Sequence, residues 1–73
     1  MATERVTLRE RQAQETRKLI VDAAYRLFAA QGYGQTSVDA IIAEAGASKG
    51  AFYHHFASKE ELFRALLEQR IRR

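Results

Sequence analysis

The chain predicts an all-α fold, a small helical bundle, and three observations carry that expectation. Apolar residues recur at three- and four-residue steps along most of its length. The breaks between these stretches fall at glycines, where a helix can end. Hydroxyl residues stand where the next helix must begin, ready to accept from its free N–H groups. At 73 residues the chain makes one domain at most. A single core of this size supplies only about 3–5 kcal/mol. The absence of cysteine removes disulfides and thiolate metal sites and fits a reducing cytosol.

Residues 1 to 10 show little apolar periodicity and are expected to form a flexible basic arm. The first helix carries Leu19, Ile20, Ala23, Ala24, Leu27 and Phe28 on one stripe and runs back at least to Arg11, through the good helix formers Arg-Gln-Ala-Gln-Glu. It stops at Gln31-Gly32, and Gly34 adds a second break. Thr36 or Ser37 caps the next helix, whose short apolar face is Val38, Ile41, Ile42 and Ala45, ending at Gly46. Barely two turns long, it needs a neighbour to be stable. After the turn Gly46-Ala47-Ser48, Ser48 caps a third short helix from Lys49 to about His54, with Phe52 and Phe56 on its inner side. Ser58-Lys59-Glu60-Glu61 then reads as a capping box for a fourth helix that packs through Leu62, Phe63, Leu66 and Leu67.

Twelve Lys and Arg against nine Asp and Glu leave a net charge of +3, a modest lean toward a polyanionic partner. Basic residues gather in the opening segment (Arg5, Arg9, Arg11, Arg17, Lys18) and again in the closing Arg70-Ile71-Arg72-Arg73. Both clusters also suit an ordinary solvated helix face or tail. No stretch resembles a signal peptide or a membrane span, so a soluble, cytoplasmic protein without membrane contact is expected.

Residues 37 to 56 have the anatomy of a helix-turn-helix, two short helices joined by a turn headed by glycine. In such a motif the first helix braces on the DNA backbone and the second enters the major groove, presenting its N-terminal residues to base edges. Lys49 can donate to guanine O6 or N7 or pair with a phosphate. Gly50 removes a side chain where backbone would come near DNA. Tyr53, His54 and His55 offer hydroxyl and ring N–H donors to phosphates and apolar edges to thymine methyls. Each of these aromatics could instead be a half-buried or plain surface residue. Together, beside a lysine on so short a helix, they favour a binding face.

The run Thr16-Arg17, Ala23-Ala24, Leu27-Phe28, Gly32-Tyr33, Thr36-Ser37-Val38, Ile41, then Ala45-Gly46-Ala47-Ser48-Lys49-Gly50-Ala51-Phe52-Tyr53-His54-His55-Phe56 and Ser58-Lys59-Glu60-Glu61-Leu62 resembles the N-terminal DNA-binding domain of the tetracycline-repressor (TetR) family. The segment from Ala45 to Leu62 is the most diagnostic. The resemblance implies a three-helix DNA-binding domain over residues 11–57. A fourth helix over 58–73 would connect it to a C-terminal ligand-binding domain outside this chain. It further implies a transcriptional regulator, a repressor by the family's habit, whose parent is a homodimer on palindromic double-stranded DNA. A small-molecule effector would act only through the other domain. Carried over to this chain, it implies that Ser48, Lys49 and Gly50 face base edges. Tyr53, His54 and His55 would meet phosphates or thymine methyls, while Thr36, Ser37 and Lys59 clamp phosphates and Arg17 touches the backbone. Isoleucine at position 42, where the family usually has alanine, is a departure whose bulk must be absorbed in the core or at an interface.

A basic helical module that binds an acidic protein is the alternative reading. An enzyme is not expected, and neither a cofactor nor a metal. Glu60 and Glu61 complete a helix cap, His54 and His55 diverge around a helix, and no nucleophile–base pair or phosphate-cradling loop is present.

Overall fold

A computed structural model of the chain describes residues 7–71, with side chains through residue 69. Four helices follow one another: α1 (Leu8–Gln31), α2 (Val38–Ala45), α3 (Lys49–His55) and α4 (Lys59–Ile71). The first six residues of the expected arm lie outside the described part. Its remainder is not an arm, because α1 already starts at Leu8. The cause is a capping box in Thr7-Leu-Arg-Glu10. The Thr7 hydroxyl accepts from the Glu10 N–H at 3.1 Å, and the Glu10 carboxylate accepts from the Thr7 N–H at 3.0 Å. Two otherwise unpaired donors are thereby satisfied, and the helix starts three residues before Arg11.

Each later boundary has an equally local cause. Gly32 ends α1 at φ 91°, its N–H donating to the Phe28 carbonyl at 2.9 Å. Ser37 opens α2 by accepting from the Ala40 N–H at 3.0 Å. Gly46 closes that helix in the left-handed region at φ 71°. There the Ala47 N–H reaches back to the Ile42 carbonyl and the Gly46 N–H to that of Ala43, a Schellman closure. Ser48 opens α3 through the Ala51 N–H at 3.0 Å. Extended backbone at Phe56 ends it. Ser58 accepts from the Glu61 N–H at 3.2 Å as a capping box requires, but the Glu61 carboxylate accepts from Ala57, one residue before the expected partner.

One core joins the four helices: Ile20, Val21, Ala23 and Ala24 from α1, Ile41 from α2, Phe52 from α3, Phe56 just beyond it, and Leu62 and Leu66 from α4. Its stripe on α1 is rotated from the expected one. Val21 is buried while Leu19 stands 53 % exposed. On α4, Leu67 is likewise exposed rather than packed. The extra bulk of Ile42 is taken up at the edge of the core, against which it is partly buried.

A second cluster sits where α1 ends and α4 begins. Phe28, Tyr33 and Phe63 pack against one another, tilted or edge-on, with ring centroids 4.9–5.7 Å apart. The Lys59 ammonium lies 4.2 Å from the Tyr33 ring centroid. These contacts pin the glycine-containing loop that precedes α2, and so help set where α2 starts.

Candidate nucleic-acid interface

Phe52 and Phe56 anchor α3 in the core from one side, so its other side is turned outward. Residues three and four apart share a helix face. Lys49 and Tyr53 therefore stand together, and Gly50 lies beside both Tyr53 and His54; all four are exposed. The Tyr53 ring meets Phe52 edge-on at 5.0 Å, which fixes its base while leaving the residue 49 % exposed. Across the turn, Lys49 Nζ lies 3.7 Å from Asp39 Oδ1. That ion pair joins the first turns of α2 and α3, so the caps Ser37 and Ser48 belong to one exposed region with Lys49 and Gly50. Each cap hydroxyl accepts from its own helix and still has a proton to donate.

Gly50 has no structural reason to be glycine. Its φ is not positive, and a β-carbon placed there would meet only the Ser48 hydroxyl oxygen, at 4.0 Å. Within a helix, glycine in place of alanine costs roughly 0.5–1 kcal/mol. The fold accepts that cost at a position facing outward.

Thr36 does not belong to this surface. It is 1 % exposed; its hydroxyl donates to the Gly32 carbonyl at 2.8 Å and accepts from the Gln31 side chain at 3.3 Å. The phosphate contact implied for it is corrected to a buried tie across the α1–α2 loop, and Ser37 alone caps α2.

Lys59 is largely committed within the fold. Its ammonium donates to the Tyr33 and Thr36 carbonyls, each at 2.9 Å, so two of its three N–H bonds are turned into the fold. It is a strut between the start of α4 and the loop before α2, with at most one donor left for a phosphate. Hydrogen bonds to a charged group contribute about 1.5–3 kcal/mol. Lys59→Met, which keeps the stem and removes the donors, is expected to lower stability to urea by about that amount. A melting curve that matched the unsubstituted chain would reduce these two bonds to incidental contacts.

His55 leaves the face formed by Lys49 and Tyr53. With Arg17, Phe56, Glu61, Arg64, Ala65 and Glu68 it lines an open groove of about 220 Å³ between α1, the end of α3 and α4. Partial burial, then the neighbouring His54 ring and the Arg17 cation, lower its pKa from the ordinary 6.5. Each of these causes favours the neutral imidazole. The Arg17 guanidinium sits over the Phe56 ring, 5.1 Å from its centroid. His54 is exposed and 4.9 Å from the His55 ring. Arg17 and His55 thus flank the exposed face of Lys49 and Tyr53 rather than form it. Asp39 also belongs to this face, through its ion pair with Lys49. Its signal in the sequence is an acid two residues into one short helix and a lysine opening the next.

The family model for bacterial regulatory proteins of the tetR family matches residues 20–66, from the buried stripe of α1 to Leu66 in α4. Among curated relatives, the chain is 46 % identical over 59 residues to the HTH-type transcriptional regulator AcrR of Shigella flexneri, a match covering 81 % of this chain and 27 % of AcrR. It is 44 % identical over 59 residues to the regulator SrpR of Pseudomonas putida, covering 81 % and 28 % of the two chains. With the regulator TtgR of Pseudomonas putida it shares 46 % identity over 57 residues, 78 % of this chain and 27 % of TtgR. In each case the match takes in little more than a quarter of the relative. The family match covers more than half of the chain, from the first core helix through the helix-turn-helix to the core residues of the last, and on that evidence the chain belongs to the tetR family of bacterial regulatory proteins.

Proposed function

We propose that this chain is the reading head of a cytoplasmic transcriptional repressor, which lays α3 in the major groove of one half of a palindromic operator. The observation that carries this reading is Gly50: an outward-facing gap on a short helix, with exposed Lys49, Tyr53 and His54 around it and no requirement for it inside the fold. A glycine there lets the α3 backbone approach a surface the size of a DNA groove. Lys49 donates to guanine O6 or N7. Gly50 brings the helix close, and Tyr53 and His54 meet phosphate oxygens or thymine methyls. Ser37 and Ser48 add hydroxyl donors from the two helix caps. Arg17, His55 and the remaining N–H of Lys59 reach the backbone at the edges. The names of the relatives, transcriptional regulators all, support the same role.

The parent protein acts as a homodimer whose two heads span the palindrome, and a small molecule bound by a further domain alters their spacing. One head alone forgoes the second half-site. At physiological salt its affinity is expected to stay near the non-specific range, on the order of 10⁻⁴ to 10⁻⁶ M.

In vitro selection from random duplex DNA, run beside Lys49→Ala at matched salt, tests the reading. The chain is expected to enrich one motif, and Lys49→Ala to broaden it at a guanine. Binding that depends on salt but enriches no motif would replace this reading with that of a basic surface for an acidic partner.

A further inference from the structure

The ion pair between α2 and α3 stands where a structural pair has little use. Lys49 and Asp39 are 3.7 Å apart, with side chains 69 % and 80 % exposed. So open a pair, in high dielectric, does little to hold a fold together. Nor does either side chain belong to the core, to which α2 and α3 contribute Ile41 and Phe52 instead. A carboxylate at the mouth of a surface meant for a polyanion is, moreover, repelled by it. Its place in the first turn of α2 gives Asp39 an ordinary role at the helix dipole, but that role does not require a lysine beside it.

We propose that Asp39 is a specificity-determining residue, which holds Lys49 in a locally neutral pair and so denies it to phosphates on DNA of the wrong sequence. The inference rests on the assignment of Lys49 to base reading. Non-specific association is driven by cations that replace counterions along the backbone, without regard to sequence. A lysine whose charge is partly matched 3.7 Å away contributes less to that process. At a matching site the reward is different in kind. Lys49 turns to the acceptors of a guanine, a directional contact that survives at higher salt, and Asp39 remains close enough to orient it. The carboxylate therefore costs wrong sequences more than right ones, which is how selectivity arises without any added attraction.

The test compares Asp39→Asn with the unsubstituted chain on two duplexes, one bearing the selected motif and one with that motif scrambled, across a salt series. Asparagine keeps the size and removes the charge. Asp39→Asn is expected to bind the scrambled duplex about threefold more tightly at low salt, the weight of roughly one phosphate contact, and to steepen the salt dependence on it by about one unit. The gain on the selected duplex is expected to be smaller, so the ratio between the two falls. In a Lys49→Ala background the same substitution is expected to change the salt dependence by less than half as much. An equal increment in both backgrounds would make Asp39 a plain repelling charge and overturn the coupling. So would an unchanged ratio between the duplexes. If Lys49→Ala leaves the selected motif intact, the base-reading role of Lys49 falls and this inference with it. If Lys49→Ala broadens the motif while Asp39→Asn leaves the ratio alone, only the inference about Asp39 falls. Thermal melting of Asp39→Asn separates the helix-dipole role, which would move the midpoint without moving the ratio.

Discussion

Phe52→Ala is expected to leave the chain largely unfolded at 25 °C. Phe52 is fully buried, and it is the one side chain within α3 that reaches the core. Its ring meets those of Tyr53 and Phe56 at 5.0 and 6.0 Å. Truncating a buried phenylalanine costs about 3–5 kcal/mol, in lost transfer energy and in the cavity left behind. A domain of this size holds only about that much stability in total. The seven residues of α3 cannot persist as an isolated helix once their anchor is gone. Circular dichroism with urea titration reads the outcome directly. The matched control is Tyr53→Ala, one residue on and half outside the core, whose effect is expected to stay far smaller. A Phe52→Ala chain that kept its helical signal and urea midpoint would mean that α3 is held by its caps and turn, and that the packing described for it is dispensable.

That contrast shows which parts of the molecule can be read from residues alone. Gly46 and Ser48 were legible because a cap acts within four residues of itself. The sequence window that names the residue also holds its partner. The capping box of α1 obeys the same local rule, and Thr7 with Glu10 was there to be read. It was masked by the absence of apolar periodicity around it. Thr36 and Ser37 are harder to separate. Both are hydroxyl residues at a helix start, and only the turn of the loop decides that one hydroxyl points into the Gly32 carbonyl and the other onto the Ala40 N–H. Lys59 was beyond local reading altogether. Its two acceptors lie 26 and 23 residues earlier in the chain, and a lysine at a helix start beside a presumed DNA surface has no local sign of being committed elsewhere. Leu19 and Val21 fail for a third reason. On a helix they flank Ile20 at equal angles, so periodicity cannot tell which flank the neighbouring helices will cover.

Gly50→Leu is expected to move folding and DNA binding in opposite directions. The fold has room for the side chain, since a β-carbon at this position meets nothing closer than 4.0 Å. Leucine is also a far better helix former than glycine, so stability is expected to rise by about 0.5–1 kcal/mol. In the complex the same side chain would stand between the α3 backbone and the floor of the groove. It would hold off Lys49, Tyr53 and His54 together rather than remove one of them. Each good base contact contributes about 1–3 kcal/mol of discrimination, so losing that of Lys49 is expected to lower the preference for the selected motif by about tenfold or to erase it. Binding to the scrambled duplex depends on charges that the substitution leaves in place, and is expected to change little. Fluorescence anisotropy on both duplexes, set beside a urea melt of the same preparation, measures the three quantities at once. A more stable chain that has lost its sequence preference would show that Gly50 is kept for what lies outside the protein. If preference survives the leucine, α3 does not approach bases through this face, and the exposed Lys49 and Tyr53 must be assigned to phosphates alone.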